Sequence, residues 1–130
     1  MKKLLLLMLL TWEALHAGEV PNFKVSEILV LQDGFIALKI ENASAQDYPL
    51  PEEFRDKVFL SLSINGIKRA EYLAKAVDPI IFLKHSFIVF KTNFRSGLPQ
   101  RIRVEVNPEK ALPESEMRDN ILEKVLPPLN

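Results

Sequence analysis

The sequence of 130 residues contains no cysteine, one tryptophan and two histidines. Without cysteine, the chain has no thiolate nucleophile, and its mature N-terminus cannot carry a lipid on a cysteine. It also lacks a Gly-x-Ser-x-Gly elbow and a glycine-rich loop that would hold a phosphate. His85, the one histidine after residue 17, stands beside Lys84 without the partner residues that a zinc site or a catalytic triad requires. We therefore expect a protein that is not an enzyme and that uses no cofactor.

An excess of charge of one sign is also missing, because 17 basic residues balance 17 acidic residues. Proteins that bind nucleic acid usually carry a clustered basic excess, and proteins that bind anionic membranes carry a polybasic patch. The sequence has neither feature. We therefore expect no nucleic acid partner and no electrostatic attachment to a membrane surface.

The first 17 residues have the three parts of a secretory signal peptide. Lys2 and Lys3 form a basic start, an apolar run covers residues 4–12, and Ala17 supplies a small residue at the cleavage position. Such a run falls far short of the roughly 20 residues that span a bilayer. A buried N-terminal helix is the weaker interpretation, because residues 4–10 are apolar all round. We predict cleavage after Ala17, no membrane span afterwards, and a periplasmic or secreted protein.

Residues 18–130 are expected to form one domain, since a chain of this length can bury a hydrophobic core without disulfide bonds. Removal of residues 1–17 takes away two lysines and one glutamate, which moves the net charge from zero to −1. The single tryptophan, Trp12, is removed as well. The sequence shows no internal repeat and no linker that would separate a second domain.

Apolar and polar residues alternate with a period of two along much of the chain. The pattern is clearest in Phe35–Asn42, in Val58–Ile64 and in residues 101–106, and it is typical of half-buried antiparallel strands. Weaker strand patterns cover residues 24–31, 86–92 and 120–126. The dipeptides Asp-Gly and Asn-Gly mark hairpin turns at residues 33–34 and 65–66.

Two connections are less regular. Residues 43–57 form a long polar connection in which prolines interrupt regular structure. Residues 68–79 fit either a short strand followed by an irregular loop, which we favour, or about two turns of helix. Counted together, about seven short strands predict an all-β fold, an immunoglobulin-like antiparallel β-sandwich of two packed sheets.

The C-terminal segment "NPEKALPESEMRDN" (residues 107–120) resembles the terminal signature of the CARDB family, the cell-adhesion-related domains found in bacteria. The segment follows a hydrophobic strand, opens with Asn-Pro, carries Glu114 at the family's first glutamate, and ends with Asp-Asn before the last strand. Met117 stands where the family has a second glutamate. The segments "VSEILV", "GFIALKIENAS" and "VFLSLSINGIKR" also resemble strands of that family. The resemblance implies an immunoglobulin-like or fibronectin III-like sandwich and a binding role at the surface or in the periplasm, without a catalytic set.

The same acidic segment raises the question of a cation site. Glu109, Glu114, Glu116 and Asp119 are candidate oxygen ligands for calcium. Their spacing is not that of an EF-hand, which needs alternating Asp or Asn and a central glycine. In the favoured interpretation the segment only connects two strands: its asparagine amides cap backbone groups, and Glu114 accepts backbone N–H bonds. We therefore predict no metal in the protein.

Aromatic residues on a long loop are natural contacts for a partner, so Tyr48 and Phe54 are the candidate partner-binding residues. In the alternative interpretation, Phe54 folds back and covers the end of the core. The favoured function is an exported, non-catalytic binding module with a protein partner. The first alternative is a structural or accessory subunit of an envelope assembly that uses an exposed edge strand. A carbohydrate-binding module is disfavoured, because residues 18–130 contain no tryptophan to stack on sugar rings. The oligomeric state stays open.

Overall fold

The computed structural model of the protein describes residues 20–97, 99–115 and 120–126. In these residues the chain forms seven strands: β1 (Phe23–Val30), β2 (Phe35–Asn42), β3 (Val58–Ile64), β4 (Ile67–Leu73), β5 (Ser86–Arg95), β6 (Gln100–Val106) and β7 (Ile121–Leu126). Short 3-10 turns occupy Glu52–Phe54, Ala74–Ala76 and Pro79–Phe82. The predicted signal peptide, residues 1–17, lies outside the described residues.

The strands form two antiparallel sheets, one in the order β1-β2-β5 and the other in the order β4-β3-β6-β7. The predicted all-β fold with about seven strands in a two-sheet sandwich is confirmed. Residues 68–79 follow the favoured alternative, because β4 runs to Leu73 and is followed by a 3-10 turn and an extended residue, Val77. In the part of the chain that the structure describes, no helix has the length and apolar character needed to cross a bilayer.

The apolar residues of the alternating segments form the core between the sheets. Ile36, Leu38 and Ile40 of β2 are fully buried and face the apolar residues of the four-stranded sheet. In that sheet Leu62 of β3 pairs with Val104 of β6, and both are fully buried. Burial of each such side chain contributes roughly 1.5–3 kcal/mol to the free energy of unfolding.

Two of the four register shifts between paired strands add side chains to the core. Ser26 is an extra residue in β1 opposite β2, so that Val25 and Ile28 are both buried although they are three positions apart. Phe59 is an extra residue in β3 opposite β4, so that the neighbours Phe59 and Leu60 are both fully buried. A bulge changes the face to which the following residues point, which is why β1 shows only a weak period of two.

Phe59 joins an aromatic cluster that closes one end of the core. Its ring centroid lies 4.9 Å from that of Phe23 and 5.6 Å from that of Phe82, and the centroids of Phe23 and Phe82 are 5.8 Å apart. The Phe23 ring meets the other two nearly edge-on, an arrangement that the ring quadrupole favours. The cluster therefore ties the start of β1 and the start of β3 to the 3-10 turn before β5.

The two ends of the sandwich differ. At one end, called here the turn end, β1 and β2 are joined at Gly34, and β3 and β4 are joined at Asn65-Gly66 with φ values of 52° and 84°. Positive φ at both residues is what a two-residue hairpin turn requires. At the other end, called here the loop end, lie the long connections 43–57 and 74–85 and the segment 107–115 that follows β6. The predicted hairpin turns are thus present, and the irregular segments are gathered at one end.

A charge in the middle of this core should prevent folding. Leu62→Asp and Val104→Asp each remove a buried apolar side chain, a change worth about 2–5 kcal/mol, and also bury an unpaired carboxylate. Either substitution removes most of the free energy of unfolding, which is typically about 5–15 kcal/mol. Circular dichroism of both variants should show an unfolded chain, whereas Ser63→Asp, on the outer face of the same strand, should melt near the wild-type temperature. A folded Leu62→Asp variant would contradict the assigned core.

Candidate functional site

One buried asparagine organises the loop end. Asn42, the last residue of β2, is only 1% exposed. Its side-chain Nδ2 donates to the carbonyl oxygens of Ile81 at 2.9 Å and Leu83 at 3.1 Å. Its Oδ1 accepts from the backbone N–H groups of Asn22 at 3.1 Å and Ser44 at 3.0 Å. A single amide therefore holds three segments of the chain together.

Further hydrogen bonds fasten the 43–50 segment to the 79–85 segment. The backbone N–H of Tyr48 donates to the Phe82 carbonyl at 2.8 Å, and the N–H of His85 donates to the Ser44 carbonyl at 3.0 Å. Asp47 Oδ1 accepts from the N–H of Lys84 at 2.9 Å. Because these bonds lie between chain segments, the two loops hold each other in one conformation.

A second set of contacts fixes the segment after β4. The N–H of Ala74 donates to the Lys57 carbonyl at 2.8 Å, and the N–H of Lys75 donates to the Arg55 carbonyl at 3.0 Å. The Lys75 ammonium also pairs with Asp56 Oδ1 at 2.6 Å. The connections 43–57 and 74–85 therefore meet along two lines of backbone contacts.

Between those two lines lies an apolar groove of about 550 Å³, called here the loop-end groove. The apolar residues that line it are Pro49, Leu50, Ala74, Val77, Pro79, Ile80, Phe82 and Leu83. Val77 and Phe82 are buried, whereas Ile80 and Leu83 remain 45% and 40% exposed. Asp78 Oδ1 accepts from the Ile80 N–H at 3.1 Å, which starts the 3-10 turn that presents these residues. The groove thus offers exposed aliphatic side chains on a backbone with satisfied hydrogen bonds.

Tyr48 and Phe54, the residues singled out in the sequence, lie beside the groove. Phe54 is half-buried and packs against the core, which corresponds to the alternative in which it covers the end of the sandwich. Tyr48 is half-buried as well. Burial raises the pKa of the Tyr48 hydroxyl, and the nearby Glu53 carboxylate adds to the increase. Their role in partner binding stays a prediction.

Leu50, Ile80 and Leu83 are groove residues that the sequence reasoning did not select. The apolar run "PIIFL" at residues 79–83 follows an aspartate and ends before a basic pair, and it has neither the period of a strand nor the length of a helix. Such a run in a loop is a signal that would have found Ile80 and Leu83, although not Leu50, since solvent-exposed loops seldom carry consecutive large apolar residues.

The acidic segment after β6 is built around Glu114. Its Oε1 accepts from the backbone N–H of Phe23 at 3.1 Å. Its Oε2 accepts from the side-chain amides of Asn107 at 2.7 Å and Asn120 at 2.6 Å. Burial raises the pKa of Glu114, and the hydrogen bonds from Asn107, Asn120 and Phe23 oppose this effect. The carboxylate therefore joins the start of β1 to both ends of the loop between β6 and β7.

The asparagines of this segment also cap backbone groups. Asn107 donates to the Leu112 carbonyl at 2.8 Å and accepts from the Leu112 N–H at 3.1 Å. Asn120 donates to the Val106 carbonyl at 2.9 Å. Leu112, held by Asn107, is fully buried in the core. These bonds are the ones that the strand-connection interpretation expects.

The calcium candidates are only partly described. Glu109 is exposed, Glu114 makes the three hydrogen bonds given above, and Glu116 and Asp119 lie outside the described residues. Within residues 20–97, 99–115 and 120–126, no three His, Cys, Asp or Glu side chains come together as a metal centre would require. The expectation that the protein holds no metal therefore stays a prediction.

Comparison with solved structures supports the fold. The crystal structure of the CARDB domain of the PF1109 protein from Pyrococcus furiosus, in complex with di-metal ions, matches with a TM-score of 0.52 and 13% identity, covering 84% of this chain and 94% of that chain. A solution NMR structure of the same CARDB domain matches with a TM-score of 0.52 and 15% identity, covering 85% of this chain and 97% of that chain. No family model and no curated protein matches the chain.

The chain therefore has the fold of the CARDB domains, a small immunoglobulin-like β-sandwich, and the resemblance indicated by the sequence is confirmed at the level of fold. Identities of 13% and 15% carry no more than the fold. The metal ions belong to the PF1109 domain. What this chain does must be argued from its own surface.

Asn42→Ala should loosen the loop end. The change leaves the carbonyls of Ile81 and Leu83 and two N–H groups without their partner, and each buried group left unpaired costs roughly 1–3 kcal/mol. We expect urea denaturation to show that the free energy of unfolding falls by about 2–4 kcal/mol, because some of these groups can form hydrogen bonds to water instead. Asn93→Ala, at an exposed position of β5, should stay within about 0.5 kcal/mol of wild type. Equal urea midpoints for Asn42→Ala and wild type would show that the Asn42 side chain does not stabilise the loop end.

Calcium should leave the melting temperature unchanged. The Glu114 oxygens already accept three N–H donors, so a cation would have to displace hydrogen bonds that the fold uses. Differential scanning fluorimetry with millimolar calcium and with chelator tests this expectation. A calcium-dependent rise in melting temperature would show that the acidic segment holds a cation after all.

Proposed function

We propose that the protein is an exported, non-catalytic binding module that holds another protein in the periplasm or at the cell surface through the loop-end groove. The observation that carries this proposal is the exposure of Ile80 and Leu83, at 45% and 40%, in a groove whose backbone is already hydrogen-bonded. Exposed aliphatic side chains of this kind are stabilised when a partner covers them, by about 25 cal/mol per Å² of apolar area.

The composition of the groove favours an apolar protein side chain as its occupant. Leu50, Ile80 and Leu83 supply an apolar centre, and Arg55, Lys75 and Asp78 supply charged groups at its border. An apolar centre with a polar rim is the usual anatomy of a protein interface, in which a buried anchor residue contributes most of the binding energy.

The hydrogen bonds between the loops support the same proposal. Binding costs conformational entropy whenever loops must be ordered, by roughly 0.5–1.5 kcal/mol for each immobilised side chain. Here Asn42 and the backbone bonds of Tyr48 and His85 already fix the two loops. A partner would therefore meet a groove that is formed before it arrives.

Export and the absence of catalysis are supported by the sequence. Residues 1–17 have the composition of a signal peptide, and the chain offers no set of residues for nucleophilic catalysis. A binding role outside the cytoplasm is consistent with both features.

The edge strand β5 favours a second candidate function, a subunit of an envelope assembly. Among the strands that the structure describes, β5 pairs only with β2, and Phe87 and Val89 are 57% and 48% exposed on its outer face. An exposed edge strand can accept a strand from another chain, with main-chain hydrogen bonds supplying affinity. This function would use the side of the sandwich rather than its loop end.

Site-specific photocrosslinking in the native host distinguishes these functions. A photoreactive residue at Leu83 should capture a defined protein, whereas one at Asp33, at the turn end, should not. In the crosslinked product, this protein should have Gly18 as its first residue if the signal peptide is removed. Capture from Val89 alone would support the edge-strand function, and equal capture from Leu83 and Asp33, or none from Leu83, would contradict the groove.

A further inference from the structure

The outer face of the four-stranded sheet carries charges in an ordered pattern. The strand registers place its outward side chains in three rows across the sheet: Glu71, Ser61, Glu105 and Ile121; then Lys68, Ser63, Arg103 and Glu123; then Arg101 and Val125. Successive rows are two residues apart along β3, β6 and β7, so they lie roughly 7 Å from one another, whereas on β4 Arg69 is an extra residue between Lys68 and Ala70. The first row is nearest the loop end, and the third is nearest the turn end.

Small residues form the centre of this face. Ser61 and Ser63 of β3 stand between longer side chains from β4 and β6, and the result is a shallow depression of about 790 Å³. Lys68 lies on the β4 side of the depression, and Arg103 and Glu105 lie on the β6 side. A second surface can therefore approach closely along β3.

The charges separate along the strands. The first row carries two acids, Glu71 and Glu105, and no base. The next two rows carry three bases, Lys68, Arg101 and Arg103. Glu123 is the exception, and it already pairs with Arg103 at 3.7 Å. The face thus has an acidic end and a basic end.

We propose that this face binds a second copy of the chain, packed face to face about a twofold axis. The axis lies between the two facing sheets, runs perpendicular to the strands, and passes between the positions of Ser61 and Ser63. Such an axis reverses the strand direction and leaves each strand over its own counterpart. Glu105 then faces Arg103 of the second copy, and Glu71 faces Lys68 of the second copy. Each of these contacts occurs twice, as a twofold interface requires.

A second copy fits this face because the acidic and basic ends are complementary to each other. Sheets that pack face to face lie about 10 Å apart, a distance that paired Arg and Glu side chains can fill. The existing pairs, Arg103 with Glu123 and Lys68 with Glu71, are half-exposed and separated by 3.7 Å and 3.4 Å. Pairs of that kind are worth little in water, so their side chains are available to a second copy.

Apolar residues at the border of the face add to the contact. Val125 is 61% exposed and Ile121 is 44% exposed. None of the residues of this face lines the loop-end groove. The dimer is therefore independent of the proposed partner function, and it leaves the groove open.

Sedimentation equilibrium of the exported protein tests the dimer. Wild type should dimerise at micromolar to high micromolar concentration, and dimerisation should weaken as salt is raised from about 0.05 M to about 0.5 M. Glu105→Arg and Arg103→Glu should each weaken it at least tenfold, because each places like charges opposite one another. Lys39→Glu, on the other sheet, and Leu83→Asp, in the groove, should leave it unchanged.

Mixing the two charge variants gives the most specific result. In a mixture, the arginine introduced by Glu105→Arg in one chain would face the glutamate introduced by Arg103→Glu in the other. The native Arg103 of the first chain would face the native Glu105 of the second. We expect the mixture to form a heterodimer at least as stable as the wild-type dimer.

Two outcomes would overturn the proposal: wild type that stays monomeric, or a mixture that associates no better than either variant alone. The pair Glu71→Lys and Lys68→Glu repeats the test should either β6 variant fail to fold. Glu71 and Lys68 also face each other across the twofold axis, so a mixture of these two variants should form a heterodimer in the same way.

Discussion

Buried apolar side chains at the loop end are possible only if the backbone groups around them find partners. Phe82, Ile81 and Leu112 all lie in loops and are almost fully buried. Loops lack the regular hydrogen bonds of sheets. A buried backbone group without a hydrogen-bond partner costs at least as much free energy as the burial of a methyl group contributes. Two asparagines meet this requirement. Asn42 binds the carbonyls of the 79–83 turn, and Asn107 binds both backbone groups of Leu112.

This arrangement determines what the protein can present to a partner. Because Asn42 fixes the carbonyls of Ile81 and Leu83, the side chains of Ile80 and Leu83 are directed outward into the loop-end groove. Glu114 fixes the other long loop in the same way and joins it to β1. The loop end is thereby held by hydrogen bonds and carries apolar groups, while the outer face of the four-stranded sheet carries separated charges. The two surfaces suit two different kinds of association.

The sequence predicted the strands better than the surfaces. Phe35–Asn42 and Val58–Ile64 were assigned with the observed bounds, because a sheet with one buried face imposes a period of two. The β1 pattern was weak because the bulge at Ser26 changes which face is buried. The groove could not be predicted, since it depends on Asn42 meeting carbonyls 39 and 41 residues away. Glu114 was anticipated as an acceptor of backbone N–H bonds, and it does accept the N–H of Phe23.

Amide hydrogen exchange of the free protein tests most directly whether the loop-end groove is formed before a partner arrives. The N–H groups of Tyr48, Lys84 and His85 join the two loops, and exchange at each reports the opening of that contact. We expect these amides to be protected nearly as well as those of the neighbouring strands. Exchange as fast as in an unstructured peptide would contradict a preformed groove.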